Sequence, residues 1–264
     1  MTLNVNVKKL AQAGLEGEPT GPRLNGVFRV LAKWKAAMVS RKWVAQQGTA
    51  IFSGPFQGMK FLERSAEGCH LPKLIGCYEQ PLHSALMTLL ENDYDYILNI
   101  GSAEGYYAVG LARVVPKTTV VACDINPKAL IACRELAKLN GCQNLKYHEE
   151  FKPKDFDTYT GSRVLVICDI EGAEESLLDP KNATSLSGMD IVVESHECFV
   201  PGITEVLQQR FEPTHTVTTI EDNGSRQLKD MPGWYTKLPH LDQLIGTWEW
   251  RAGPTPWLVM RSKR

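Results

Sequence analysis

From residue 94 onward the chain alternates short, continuous apolar runs with helical patterns, and this restricts its fold more than any other feature. Tyr96-Ile97-Leu98-Asn99-Ile100 and the stretches 119–124, 145–148, 163–169 and 191–194 read as strands. Residues 105–115, 127–140, 171–178 and 202–210 read as helices, with Pro127 suited to a first turn and Asn140-Gly141 to a stop. Strands that are apolar throughout, rather than at alternate positions, are buried on both faces. The expectation is therefore an α/β fold, a mostly parallel sheet with helices on both sides. After residue 210 the alternation ends. His215-Thr216-Val217-Thr218-Thr219-Ile220 predicts one further strand, 221–240 a Gly/Pro-punctuated insertion, and 256–261 a last strand closing the sheet edge.

The segment before this region is different. Residues 1–23 are polar and carry Gly14, Gly17, Pro19, Gly21 and Pro22, which reads as a loose tail. Val27, Val30, Leu31, Trp34, Met38 and Val44 recur at roughly helical spacing, which predicts an amphipathic helix over 24–47. That helix packs on the main domain or, in a sharper reading, forms a lid or a dimerisation arm. Residues 50–52 and 59–62 read as short strands around Ser53-Gly54-Pro55, and 79–91 as a helix. The resulting division is an N-terminal extension, 1–75, and a domain over 76–264 with an insertion at about 221–253.

Composition narrows the function classes. The 264 residues carry 29 Lys+Arg and 30 Asp+Glu, a formal charge of −1. Such a balance argues against an electrostatic nucleic-acid binder. No apolar run approaches the ~20 residues of a membrane span, and Met1 to Lys9 lacks a signal-peptide core. The expected setting is the cytoplasm, with no membrane partner. The seven cysteines are odd in number and none has CxxC spacing, which fits neither a disulfide framework nor a zinc ribbon.

Four segments carry chemistry, each at a predicted strand end. Ile100-Gly101-Ser102-Ala103-Glu104-Gly105 is a turn in which glycines let the backbone approach a ligand beside a helix N-terminus. Its spacing is G-x-x-x-G, so the dinucleotide fingerprint fails and a nicotinamide oxidoreductase is disfavoured. Asp124 lies nineteen residues after Gly105. It can accept from ribose hydroxyls or cap the helix that follows. Asp169-Ile170-Glu171-Gly172-Ala173-Glu174 places three carboxylates after the fourth strand. Glu194-Ser195-His196-Glu197 follows the fifth. Asp169, Glu194 and His196 thus converge on one crevice, where they can act as a general base or hold a hard divalent cation.

Together these segments resemble the class I S-adenosylmethionine-dependent methyltransferases and, more narrowly, the FkbM-type family. The resemblance runs from about residue 76 to 200. It is carried by Gly76-Cys77-Tyr78-Glu79, Leu98-Asn99-Ile100-Gly101, Cys123-Asp124-Ile125-Asn126-Pro127, Leu139-Asn140, the run from Asp169 to Glu174, and Val192-Val193-Glu194-Ser195-His196. It implies a seven-stranded Rossmann-like sheet with an antiparallel last strand. It also implies S-adenosylmethionine laid across the first two strand ends. Asn99, Gly101, Ser102, Ala103, Glu104 and Gly105 would hold the methionine part, and Asp124 with Ile125 the ribose. Glu149 or Glu150 would hold the adenine amine, and Asp169 would border the sulfonium and the acceptor. The family usually has an acid where Asn99 stands, and Glu104 is the candidate substitute.

The implied activity is O-methylation of a hydroxyl on a small metabolite or sugar. His196 would be the base, with Asp169 and Glu194 beside it, or these three would bind Mg or Mn. N-methylation, and an S-adenosylmethionine-binding protein without catalysis, are the alternatives. The acceptor is a small molecule, and a homodimer through the N-terminal helix is open. Trp34, Trp43, Trp234, Trp248, Trp250 and Trp257, outside the matching region, are candidate walls for the acceptor, and Tyr106 and Tyr107 candidates to reach the cofactor cleft.

Overall fold

The computed structural model describes residues 3–18, 20–65 and 68–263. Its centre is a seven-stranded sheet made of β1 (Tyr96–Ile100), β2 (Thr119–Cys123), β3 (Leu145–His148), β4 (Val164–Cys168), β5 (Asp190–Glu194), β6 (His215–Ile220) and β7 (Trp257–Ser262). The order across the sheet is β3-β2-β1-β4-β5-β7-β6. The first five strands run parallel, and β7 is antiparallel to both neighbours, β5 and β6. This is the seven-stranded, mostly parallel Rossmann-like sheet with an antiparallel last strand that the resemblance implies.

Both faces are covered, as the continuous apolar strands require. Ile97, Leu165 and Ile167 face one core, with Phe56, Phe61 and Trp43. Leu98, Val164 and Val166 point the other way, into a core with Phe156 and Phe211. Successive side chains therefore enter opposite cores. The helices are α1 (Leu3–Leu15), α2 (Gly21–Gln47), α3 (Leu71–Ile75), α4 (His83–Leu89), α5 (Tyr106–Val114), α6 (Pro127–Leu139), α7 (Glu174–Leu177), α8 (Ile203–Phe211), α9 (Gly233–Thr236) and α10 (His240–Thr247). Asn126 caps α6, its Oδ1 accepting from the Lys128 N–H at 3.1 Å.

Several expectations are corrected. The stretch read as a loose tail contains α1. Val7, Ala11 and Gly14 form its half-buried stripe, and a Cβ on Gly14 would lie 2.5 Å from Val27 Cγ2 on α2. Its glycine is thus a helix–helix contact rather than a break. α2 exists, but it turns Val27, Ala36, Val39 and Trp43 inward, while Leu31 and Met38 are exposed. The segments 50–52 and 59–62 make a single antiparallel bridge, Ala50 to Lys60, rather than strands. β7 does not close the sheet edge. It is inserted between β5 and β6, which explains its run of four buried residues, Trp257 to Met260. The edge on this side is β6, where exposed Thr216 and Thr218 alternate with part-buried Val217 and Thr219. The insertion at 221–253 carries two short helices, α9 and α10.

Candidate active site

Parallel strands end on the same side of a sheet, and their loops open a crevice there. A cavity of about 650 Å³ occupies that crevice, lined by Gly101, Ala103, Asp124, Phe151 and Asp169, among others. Gly101 has φ +80°, and a Cβ there would lie 1.6 Å from the Asp169 carbonyl oxygen. Only glycine lets the turn after β1 pass this close to the end of β4. Ala103 adopts φ +44°, a conformation that costs a non-glycine residue energy. Its N–H donates to Asp124 Oδ2 at 2.8 Å, and the Asn126 N–H donates to Oδ1 at 2.8 Å. Asp124 therefore ties the first two strand-end turns together and still faces the cavity. Ile125, 83% exposed, lies on the same wall. Glu149 and Glu150 line the far rim, beside Phe151 and Lys152.

Four of the residues predicted for the glycine turn stand behind the cavity wall rather than on it. Gly105 caps α5 with φ +96°, and a Cβ there would lie 2.6 Å from Cys133 Sγ. Asn99 and Ser102 are buried, and Asn99 Oδ1 and Ser102 Oγ have no hydrogen-bond partner among the described residues. Glu104 is fully buried and accepts from Lys73 Nζ at 2.7 Å. Burial opposes its charge, but Lys73 and the hydrogen bonds from Lys73 and Ser65 hold its carboxyl below the usual range. Glu104 is therefore committed to Lys73 and does not reach the cavity; Lys73 does. Sequence reasoning missed Lys73, because it arrives from α3 and carries no local motif. Tyr106 and Tyr107 also stay off the wall, whereas Tyr78 is on it, and none of the tryptophans lines it.

His196, 3% exposed, does not line the cavity itself but stands behind its wall, against Asp169 and Glu171, which do. Its Nδ1 lies 2.7 Å from Glu174 Oε1. That carboxylate oxygen also accepts from the Ile170 and Gly172 N–H groups at 3.1 and 3.2 Å. A carboxylate on Nδ1 assigns the proton there and leaves Nε2 free to accept. Nε2 faces Asp169 Oδ1 at 3.5 Å, Glu171 Oε2 at 3.6 Å and Glu194 Oε2 at 3.7 Å. Phe199 stacks on the ring at 5.7 Å with planes 6° apart. Burial disfavours the imidazolium, but the Glu174 hydrogen bond and the charges of Asp169, Glu174 and Glu171 prevail and raise its pKa. Burial and the nearby Glu79 carboxylate push Asp169 up to about 7, against the pull of His196. Glu174 reads in the sequence as a helix first-turn acid, and the structure gives it this second role.

The predicted trio of Asp169, Glu194 and His196 does come together, with one change. Glu194 is 3% exposed, and its Oε1 is taken by Arg251 Nη1. Arg251 also meets Glu79 at 3.2 Å and Glu249 at 3.3 Å. Behind it Arg226 pairs with Asp222 at 2.6 Å. Burial first, then Glu79, raises Glu249 to about 8 against the pull of Arg226. The insertion thus supplies the counter-charges beneath β5, a role no local sequence signal announces. Two sets of side chains among the described residues bring possible ligand atoms within 4.8 Å of one another: Asp169, Glu171 and His196, and Glu79, Asp169 and Glu194. The second already has a cation, Arg251, bound to Glu79 and Glu194. The first opens toward the cavity through Asp169 and Glu171.

Comparison with known proteins adds the following. No family model matches the chain. Over 60 residues it is 38% identical to the release factor glutamine methyltransferase of Deinococcus radiodurans, a match covering 23% of this chain and 22% of that protein. The chain thus spans about a fifth of the length of this curated relative. Among solved structures, it is similar to an O-methyltransferase of Streptomyces achromogenes involved in tomaymycin synthesis, in complex with SAM. The TM-score is 0.47 at 16% identity, covering 99% of this chain and 96% of that one. It is also similar to a precorrin-6y C5,15-methyltransferase of Geobacter metallireducens, with TM-score 0.42 at 13% identity, covering 68% and 86%.

Proposed function

We propose that the chain is an S-adenosylmethionine-dependent methyltransferase of FkbM-like type that acts on a hydroxyl of a small molecule. The observation that carries this is a juxtaposition. A cavity floored by the Gly101 turn and Asp124 is walled by Asp169 and Glu171, and directly behind these two carboxylates stands the His196 imidazole, its Nδ1 held by Glu174 and its Nε2 turned toward them.

The residues present fit the cofactor. Gly101 allows close backbone approach, and Asp124 offers carboxylate lone pairs to ribose hydroxyls while holding two backbone donors. Glu149 and Glu150 stand where an exocyclic amine can donate. Asn99 Oδ1 is buried with no donor among the described residues, but it stands behind the wall, so the cofactor is held by the Gly101 turn and Asp124 and not by Asn99. When bound, the sulfonium supplies an electrophilic methyl group. The rest is positioning and proton handling by this chain. His196 Nε2 takes the hydroxyl proton, and Glu174, Asp169 and Glu171 stabilise the imidazolium that forms. Phe199 fixes the ring plane. Glu194 supports the site through Arg251.

Asp169, Glu171 and His196 also have the spacing to hold Mg or Mn, which would supply Lewis-acid activation of the same hydroxyl. Loss of turnover on chelation, restored by Mg, favours that reading; indifference to chelation favours the free base. The test of the proposal is methyl transfer from labelled S-adenosylmethionine to a panel of hydroxylated and aminated acceptors. The unmodified chain is expected to label a hydroxyl, and His196→Ala to lose about a hundredfold or more in turnover while still binding the cofactor. Full turnover in His196→Ala contradicts the assignment, and labelling of amines alone would move it to N-methylation.

A further inference from the structure

We propose that the face formed by α2 and α10 docks the protein on an anionic lipid surface. Five of the fourteen exposed large apolar side chains among the described residues, Phe28, Leu31, Met38, Leu241 and Leu244, lie on these two helices. Phe28, 68% exposed, and Leu244, 57% exposed, line a shallow groove of about 370 Å³ between α2 and α10, with Trp248 at its side. On α2 the residues Phe28, Leu31, Lys35, Met38 and Lys42 follow one another at intervals of 3, 4, 3 and 4, so they share one side of the helix. That side is apolar and basic together.

The charge is strongly segregated. α2 has six basic residues and no acid in 27 positions. The first 47 residues hold eight Lys or Arg and two Glu, a balance of +6. The whole chain is −1, so the remaining 217 residues carry −7. The acid of α10, Asp242, is buried and is paired with Lys35 at 3.2 Å. α2 and α10 therefore present no exposed carboxylate. Arg29 and Lys33 lie over the rings of Trp248 and Trp250, at 5.4 and 4.7 Å. A protruding apolar surface, a basic border and indoles stacked with cations match the interface of an anionic bilayer.

A second copy of the chain fits less well. A twofold contact through this face sets α2 against α2, with six positive charges on each. Lipid docking is peripheral, because no described helix is long and apolar enough to cross a membrane. It adds a partner that whole-chain composition gives no reason to expect, since the net charge conceals the segregation.

The test is co-sedimentation of the full chain with vesicles of phosphatidylcholine alone and of phosphatidylcholine with phosphatidylserine. The chain is expected to sediment with the anionic vesicles only and to be released by salt. Two variants, Phe28→Ser with Leu244→Ser and Lys42→Glu alone, are each expected to weaken binding about tenfold or more. All three side chains are on exposed positions or the groove, and an unchanged melting temperature establishes that each variant is folded. Equal partition onto both vesicle types, or onto neither, overturns the proposal. So does a concentration-dependent dimer in ultracentrifugation that the Phe28/Leu244 variant abolishes. None of these readouts depends on methyl transfer.

Discussion

At the scale of single residues, the account turns on His196 and Asp124. A general base works only when deprotonated, and the carboxylates around His196 raise its pKa above the usual 6.5. Turnover is therefore expected to rise with pH through a value above 6.5 and to fall steeply below it. A pH–rate profile that is flat across that range contradicts the role. Glu174→Gln removes the charge on Nδ1 and keeps the shape, so that limb is expected to shift to lower pH. An unshifted limb denies Glu174 its positioning role. Asp124→Ala is expected to weaken S-adenosylmethionine binding by about 1–3 kcal/mol, the range for stripping a partner from buried polar groups. Calorimetry on the variant checks this, and an unchanged affinity removes Asp124 from the ribose. Asp124, Asp169 and His196 are legible in the sequence because each immediately follows, or nearly follows, an apolar strand whose end must face the crevice. Lys73 and Arg251 are not, because their partners lie 31 and 57 residues away and the pairing exists only once the chain is folded.

At the scale of elements, the buried pair of Lys73 and Glu104 fastens α3 to the turn after β1. Glu104 has its folded pKa below the usual value, so its contribution is present above that ordinary range and is lost as pH falls toward the folded value. Burial opposes the charge on Lys73, but Glu104 prevails and raises its pKa, so its contribution holds below 10.5 and is lost as pH rises past it. The contribution of this pair is expected to be level between these limits. Lys73→Met takes the cation away from a buried carboxylate and is expected to cost about 3–5 kcal/mol in urea unfolding. A cost under about 1 kcal/mol, the range of an exposed pair, contradicts the burial. Legibility at this scale follows the number of buried faces. Strands covered on both sides announce themselves as continuous apolar runs, and all seven are found within a residue or two. α1 announces itself poorly, because its contact surface is small residues such as Ala11 and Gly14 against α2. The position of β7 inside the sheet is invisible locally, since order across a sheet is a long-range property.

At the scale of the whole molecule, two regions outside the motif-bearing half shape what the site can do. The first 47 residues carry positive charge and exposed apolar side chains. The insertion buries Asp222, Arg226, Glu249 and Arg251 against the strand ends. The five parallel strands and the turns at their ends are readable from 96–200, whereas the cation that occupies Glu194 comes from Arg251 and is not. The central claim is that the crevice at the ends of β1, β2 and β4 binds S-adenosylmethionine. Its most direct test is calorimetric titration of the purified chain with S-adenosylmethionine, in EDTA and then in Mg. Saturable one-to-one binding in the micromolar range is the predicted result. No heat of binding up to millimolar cofactor, with or without Mg, would contradict the claim and reduce the Gly101 turn to a structural bend.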